Sequence, residues 1–124
     1  MSNRRILVVE DDPDGQEMVT TMLQHMKFVV DTADDGEEAS SIIAQQGNSY
    51  DAIIIDLALP GKDGWELLNE VLRNPSTENL PCVAVTAFHN SKLREEALRA
   101  GFIAYFPKPI DGTQLGRELD RLIG

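Results

Sequence analysis

Three carboxylates stand directly after short apolar runs in this sequence. Glu10 and Asp11 follow residues 6–9, and Asp56 follows residues 52–55. Carboxylate oxygens are hard ligands of the kind that Mg²⁺ prefers, and a carboxylate can also act as a nucleophile toward phosphorus. Taken alone, Asp56 could equally end its apolar run and cap a turn, since turn residues follow it. The residue types therefore indicate cation binding and phosphoryl chemistry, provided that the fold brings them together.

Two other side chains could bind a phosphoryl group. Thr86 ends the apolar run at residues 80–85, and Lys108 comes shortly after the run at residues 102–106. A hydroxyl and an ammonium can both bind phosphoryl oxygens, and the ammonium also offsets their negative charge. These two residues would complement a carboxylate that accepts a phosphoryl group.

The apolar runs are typical of buried strands, and the segments between them have helical spacing. Short strands are predicted at residues 6–9, 28–30, 52–55, 80–85 and 102–106. Amphipathic helices are predicted at about residues 13–26 and around residues 39–43, 65–72, 93–100 and 115–122. This alternation indicates βαβ units, and therefore one α/β domain over residues 1–124 with a parallel sheet covered on both faces.

A parallel sheet would bring the reactive side chains together, because the carboxyl ends of all its strands lie at one edge. Three carboxylates at that edge would repel one another, and a bound divalent cation would relieve the repulsion. One aspartate of the cluster could then accept a phosphoryl group. The members of this predicted cluster are Glu10, Asp11, Asp56, Thr86 and Lys108.

Composition excludes several classes of function. The chain has 11 basic and 21 acidic residues and a formal net charge of −10, so nucleic acid and anionic membranes would repel its surface. The single cysteine, Cys82, excludes an internal disulfide and a multi-cysteine metal site, and it is expected to be a buried thiol. No apolar stretch is long enough for a signal peptide or a membrane span. We therefore expect a cytoplasmic protein.

Three further side chains are expected to have structural roles. Asp12 is expected to cap the helix that begins at Pro13. Trp65 begins an apolar helical stripe and is expected to pack in the core. His89 is expected to be a solvated loop residue.

Four separated motifs stand out in chain order. They are Ile6-Leu7-Val8-Val9-Glu10-Asp11-Asp12, Asp56 with Pro60-Gly61-Lys62-Asp63-Gly64, Val85-Thr86-Ala87, and Tyr105-Phe106-Pro107-Lys108-Pro109. Together they cover nearly the whole chain, and they resemble the receiver domain of two-component response regulators. The resemblance implies a flavodoxin-like fold: a doubly wound (βα)5 three-layer sandwich with a parallel sheet of strand order 2-1-3-4-5. It also implies a cis peptide bond between Lys108 and Pro109.

The same resemblance implies a role for each acidic residue of the cluster. Asp56 would be the phosphoacceptor. Glu10 and Asp11 would bind Mg²⁺ (or Mn²⁺) together with Asp56. The backbone carbonyl of Ala58 would be a further metal ligand.

The resemblance also implies how a phosphoryl group would be bound and detected. Thr86 and Lys108 would bind the phosphoryl group, and Tyr105 would be a switch that turns inward when Thr86 moves. The donor would be a sensor histidine kinase or a histidine phosphotransfer protein. A downstream protein, or a second copy of the chain in a homodimer, would bind the face formed by the fourth helix, the last strand and the final helix. The chain would be a stand-alone receiver and a signalling switch rather than a turnover enzyme.

Three residues depart from the commonest pattern of that family. Glu10 replaces the more frequent aspartate but keeps a carboxylate, so metal binding is still expected. Ala58 and Phe88 are apolar, and Phe88 stands where many members carry a polar residue. We hypothesise that these two residues change how water reaches an acyl phosphate on Asp56, and hence the lifetime of that phosphate.

Three other functions are compatible with parts of this pattern. A phosphatase of the haloacid dehalogenase type also uses an aspartyl nucleophile, but it needs a second aspartate where this chain has Ala58. In a flavin binder of the same fold, Glu10, Asp11 and Asp12 would repel the flavin phosphate. The third is a degenerate receiver that acts only as an interaction module, and the presence of all the site residues argues against it.

Overall fold

A computed structural model describes residues 4–123, and the outermost residues of the predicted domain, 1–3 and 124, lie outside this range. The strands are β1 (Arg5–Val9), β2 (Val29–Ala33), β3 (Ala52–Asp56), β4 (Cys82–Thr86) and β5 (Ala104–Pro107). The α-helices are α1 (Pro13–His25), α2 (Gly36–Gln46), α3 (Gly64–Arg73), α4 (Ser91–Ala100) and α5 (Gly112–Ile123). A short 3-10 helix, Gly47–Ser49, precedes β3. Strands and helices alternate along the chain as predicted.

The strands form one parallel sheet in the order β2-β1-β3-β4-β5. Neighbouring strands are paired so that their carboxyl ends lie level: Asp56 pairs with Val85, and Thr86 pairs with Pro107. The predicted flavodoxin-like fold and its strand order are therefore confirmed. Because every strand runs in the same direction, the residues that end or follow β1, β3, β4 and β5 meet at one edge of the sheet.

Helices cover both faces of the sheet. Alternate residues of β3 enter two separate cores: Ile53 and Ile55 lie with α2, α3 and α4, whereas Ala52 and Ile54 lie with α1 and α5. Every residue of β3 and β4 is buried, as expected for central strands covered on both sides. Across residues 4–123, none of the helices combines the length and the apolar character that a bilayer span requires.

The second strand differs from its predicted position. It begins at Val29 rather than Phe28 and continues to Ala33, beyond the predicted end at Val30. The prediction was wrong because β2 is an edge strand that pairs only with β1. Such a strand is partly solvated, so polar residues can extend it past its short apolar run.

The last strand also begins later than predicted, at Ala104 rather than Phe102. The Phe102 amide instead donates to the Ala97 carbonyl at the end of α4, at 3.1 Å. Phe102 therefore belongs to the connection between helix and strand. Pro107 is the last residue of β5, which is the other edge strand, so its missing amide donor is tolerated.

Three predicted structural roles are confirmed. Cys82 is buried at the start of β4, and burial raises the pKa of its thiol to about 12, so the thiol is unreactive near neutral pH. Trp65 packs edge-on against Phe102, with ring centroids 5.9 Å apart. Asp12 caps α1, because its carboxylate accepts a hydrogen bond from the Gly15 amide at 3.0 Å.

Candidate functional site

The carboxyl ends of four strands position the predicted site residues. Glu10 follows β1, and Asp56 is the last residue of β3. Thr86 is the last residue of β4, and Lys108 follows β5. Glu10, Asp56 and Thr86 are buried, whereas Lys108 is half-buried. The topology therefore joins residues as far as 98 positions apart in the sequence.

The acidic part of the site is a cluster of three carboxylates. Glu10, Asp11 and Asp56 each present a carboxylate oxygen, and these oxygens all lie within 4.8 Å of one another. Glu10 is 4% exposed and Asp56 is 6% exposed, while Asp11 is exposed to solvent. Burial disfavours the charged form of a carboxylate, and like charges repel. The cluster is therefore electrostatically costly unless a cation accompanies it.

Lys108 supplies part of the missing positive charge. Its ammonium forms an ion pair with Glu10 and donates to Asp56 Oδ2 at 3.1 Å. The backbone of the lysine is held in turn by a hydrogen bond from its amide to the Thr86 carbonyl, 2.8 Å long. The peptide bond between Lys108 and Pro109 is cis, as predicted. One side-chain cation thus faces two buried carboxylates.

Burial and the neighbouring charges both act on the pKa values of Glu10 and Lys108. Burial, together with a hydrogen bond and charge repulsion from Asp56, raises the pKa of the Glu10 carboxyl to about 7. Contacts with Lys108 and with the Asp12 amide act in the opposite direction without outweighing these effects. Burial alone would lower the pKa of the Lys108 ammonium, but the two carboxylates hold it above its usual value. The lysine therefore stays charged, and the site is still short of positive charge.

Two loop amides fix the side chains of Asp56 and Thr86. The Ala58 amide donates to Asp56 Oδ1 at 2.9 Å, and the Phe88 amide donates to the Thr86 hydroxyl oxygen at 3.0 Å. Among the contacts described for residues 4–123, none joins the Thr86 hydroxyl to Asp56 or Lys108. Thr86 is instead linked to the cluster through the backbone of Lys108.

Tyr105 lies inward in this structure. Its side chain on β5 is buried, and its hydroxyl lies 3.0 Å from His89 Nδ1. The prediction of a solvated loop histidine is confirmed, since His89 is exposed in the loop that follows Thr86, and its ring also lies beside that of Tyr105. The residue predicted to be the switch therefore contacts the loop that follows Thr86, and its movement on phosphorylation stays a prediction.

Gln16, in the first turns of α1, supports the site and was not predicted. Its side-chain amide donates to the Glu10 carbonyl at 3.1 Å and to the Ala33 carbonyl at 3.3 Å. It also donates to Asp34 Oδ1 at 3.0 Å. Gln16 thereby joins the ends of β1 and β2 beneath the acidic residues. A polar side chain in the turn that follows the helix cap is the signal that could have indicated it.

The donor set suits a hard divalent cation. All three side chains offer carboxylate oxygens. Ala58 lies at an exposed loop position two residues after Asp56, and its backbone carbonyl stays a predicted ligand. Mg²⁺ and Mn²⁺ both favour oxygen ligands of this kind. Only one lysine faces these carboxylates among the ion pairs described for residues 4–123, so a cation would lower the repulsion between them. The residues present therefore fit a magnesium ion.

Comparison with known proteins places this site in a family. A family model described as the response regulator receiver domain matches residues 6–120. The chain belongs to the receiver domain family. This confirms the resemblance noted from its motifs, and it makes the protein a receiver domain of two-component signalling. Domains of this family are signalling domains and are generally not turnover enzymes.

Known proteins resemble this receiver domain over most of its length. One solved structure is the receiver domain of a sensor histidine kinase from Pseudomonas aeruginosa PAO1, with a magnesium ion coordinated in the active site cleft. Its sequence is 34% identical to this chain, the TM-score is 0.88, and 99% of each chain is covered. An uncharacterised 14.6 kDa protein in the sodA1 3′ region of Leptolyngbya boryana is 38% identical over 112 residues, which cover 90% of this chain and 84% of that protein. The transcriptional regulatory protein HprR of Escherichia coli (strain K12) is 32% identical over 111 residues, which cover 90% of this chain and 48% of HprR. The receiver domain thus spans most of the first relative and about half of HprR.

Replacing Lys108 with methionine is expected to lower the free energy of unfolding in EDTA by about 2 kcal/mol, because Glu10 and Asp56 lose their counter-charge. The loss should be smaller than for a fully buried ion pair, since the lysine is partly exposed. Mg²⁺ should restore more stability to Lys108→Met than to the wild type, because the site then lacks more positive charge. Urea unfolding followed by circular dichroism measures both effects.

The matched control is Lys92→Met, which changes an exposed lysine on α4. This control should unfold within about 0.5 kcal/mol of the wild type, with or without Mg²⁺. Equal losses of stability in the two lysine variants would contradict the electrostatic role assigned to Lys108.

Proposed function

We propose that this receiver domain is a phosphorylation-controlled switch of a two-component or phosphorelay system, and that Asp56 accepts the phosphoryl group. The observation that carries the proposal is the gathering of three carboxylates around Lys108 at the carboxyl edge of the sheet. Buried ionisable groups with perturbed pKa values cluster at functional sites. Elsewhere in a fold such groups lower stability and bring no functional gain. The magnesium ion in the cleft of the Pseudomonas aeruginosa receiver domain supports the same proposal.

Asp56 is the proposed nucleophile because it ends the central strand β3 at the position that matches the phosphoacceptor of the receiver family, and two hydrogen bonds orient its carboxylate. Oδ1 accepts a hydrogen bond from the Ala58 amide, and Oδ2 accepts one from Lys108. The donor would be a sensor histidine kinase or a histidine phosphotransfer protein. One Asp56 oxygen would form a bond to phosphorus while the bond between phosphorus and the donor's histidine nitrogen breaks, which gives an acyl phosphate.

The residues around Asp56 would stabilise the new negative charge. Glu10, Asp11, Asp56 and the Ala58 carbonyl are proposed to hold Mg²⁺ or Mn²⁺. When bound, the cation would supply the positive charge that allows a phosphoryl group to approach the carboxylates. Lys108 now divides its ammonium between Glu10 and Asp56, and in the phosphorylated site it would turn to the phosphoryl oxygens. The Thr86 hydroxyl would donate to the same oxygens.

Phosphorylation is proposed to change the face formed by α4, β5 and α5. Tyr105 links this face to the site, because its hydroxyl contacts His89 in the loop that follows Thr86. A groove of about 430 Å³ lies on the face, and its lining includes Arg94, Arg117 and Arg121. A downstream protein, or a second copy of the chain, would bind this face. The phosphoryl group would act by shifting a two-state equilibrium of the loop and the face.

Incubation with acetyl phosphate and Mg²⁺, followed by intact mass spectrometry, tests the proposal. The wild type is expected to gain one phosphoryl group, about 80 Da, only when Mg²⁺ is present. Asp56→Asn should gain none, because the amide cannot act as the nucleophile. Asp120→Asn, a change at an exposed position of α5, is the control and should be modified like the wild type. A folded wild-type protein that gains no mass would contradict the proposal and favour the phosphorylation-independent interaction module.

Ala58→Asn and Phe88→Glu are each expected to shorten the lifetime of the acyl phosphate several-fold. The amides of Ala58 and Phe88 contact Asp56 and Thr86, so a polar side chain at either position could orient water toward phosphorus. The loss of the added mass with time, after acetyl phosphate has been removed, measures this lifetime. Ala58→Val and Phe88→Leu keep the positions apolar and should match the wild type. Unchanged rates in both polar variants would reject the hypothesis.

A further inference from the structure

The loop that joins β3 to α3, residues 57–63, is tied to α2 by the side chain of Lys62. The Lys62 ammonium donates to the Ser40 hydroxyl on α2 at 2.9 Å and forms an ion pair with Glu70 on α3. The Ser40 hydroxyl itself donates to Glu70 at 2.6 Å, and Glu37 lies 3.6 Å from the ammonium. One cation therefore connects the loop to two helices.

The backbone of Lys62 is also packed against α2. A Cβ atom added to Gly36, the first residue of α2, would lie 2.2 Å from the Lys62 carbonyl oxygen. Any side chain at position 36 would therefore clash with the loop backbone, which shows that loop and helix are in direct contact. Lys62 is held against α2 at both its carbonyl and its ammonium.

Between its two ends the loop is also anchored by Leu59, whose side chain is buried in the core. Among the backbone–backbone hydrogen bonds described for residues 4–123, those of the loop involve Leu57 and Asp63, at its two ends. Gly61 adopts a left-handed conformation with φ of 69°, which glycine accommodates without steric strain. The position of the segment between the two ends therefore depends on two side chains, Leu59 in the core and Lys62 against α2 and α3.

The position of this segment matters to the site through Ala58. Its amide donates to Asp56 Oδ1 at 2.9 Å, and its carbonyl is a proposed ligand of the cation. Movement of the loop would displace both groups relative to Asp56. A residue that fixes the loop would thus control the site without touching the reacting atoms.

We propose that Lys62 is a positioning residue of this site, which holds the Ala58 peptide against Asp56 by tying the loop to α2. For its effects on Mg²⁺ and phosphoryl transfer, the inference rests on the proposed function. Lys62 suits this role because its side chain is only 20% exposed. The ammonium is charged at neutral pH, as for lysine in general, and its contact with Glu70 raises its pKa further.

Residue-resolved hydrogen exchange tests the tether without any ligand. In Lys62→Met, the Ala58 amide is expected to exchange roughly tenfold faster than in the wild type, because local opening of the loop becomes easier. Lys62→Arg should restore much of the protection, since a guanidinium can still pair with Glu70. Lys92→Met on α4 should leave the exchange of this amide unchanged. Unaltered exchange of Ala58 in Lys62→Met would overturn the proposal.

Calorimetric titration with Mg²⁺ separates positioning from general stability. Lys62→Met is expected to weaken Mg²⁺ binding about tenfold, as is typical when a residue that supports a metal ligand is removed. The rate of phosphorylation by acetyl phosphate at saturating Mg²⁺ should change less than the affinity. Equal Mg²⁺ affinity in Lys62→Met and the wild type would overturn the proposal. If the wild type itself bound no Mg²⁺ and gained no phosphoryl group, the proposed function would fail, and the exchange experiment alone would decide the role of Lys62.

Discussion

The site depends on the balance of charge between Lys108 and the carboxylates that it faces. Its ammonium contacts Glu10 and Asp56, both of which are buried. A buried carboxylate without a partner is costly, so this lysine makes the acidic cluster tolerable in the folded state. One ammonium cannot neutralise three carboxylates, and burial, together with a hydrogen bond and repulsion from Asp56, raises the pKa of Glu10. The remaining negative charge would favour the binding of a cation. The bound cation would in turn favour the approach of a phosphoryl group.

This balance comes from the topology of the sheet rather than from any local motif. In the order β2-β1-β3-β4-β5, β4 separates β5 from the strand that ends in Asp56. The Lys108 amide is bonded to Thr86 at the end of β4, so its long side chain reaches past the intervening strand to Asp56. The same hydrogen bond couples the lysine to the loop that holds His89 against Tyr105. The charged cluster and the α4–β5–α5 face are therefore connected through the ends of two neighbouring strands.

The fold and the members of the site could be predicted where the sequence carries a strong pattern. The run that forms β3 is apolar on both faces, and the polar residue that ends such a strand must lie at the carboxyl edge of the sheet. Edge strands carry a weaker apolar pattern in the sequence, because they are partly solvated and tolerate polar residues. The predicted bounds of β2 were wrong for this reason. Contacts between side chains of separate loops and helices, such as His89 with Tyr105 or Lys62 with Ser40, have no periodic signature. They depend on the path of each loop, which composition and spacing do not determine.

Calorimetric titration with Mg²⁺ of the wild type, Asp11→Asn and Asp120→Asn tests most directly whether the carboxylates at the sheet edge form a cation site. Asp11 is exposed, so the change to asparagine removes its charge without leaving a buried group unpaired. The wild type is predicted to bind Mg²⁺ saturably. Asp11→Asn is predicted to bind Mg²⁺ at least about tenfold more weakly, because a charged ligand is lost. Asp120→Asn, at an exposed position of α5, should match the wild type. Equal affinities in all three proteins, or no saturable binding by the wild type, would contradict this account.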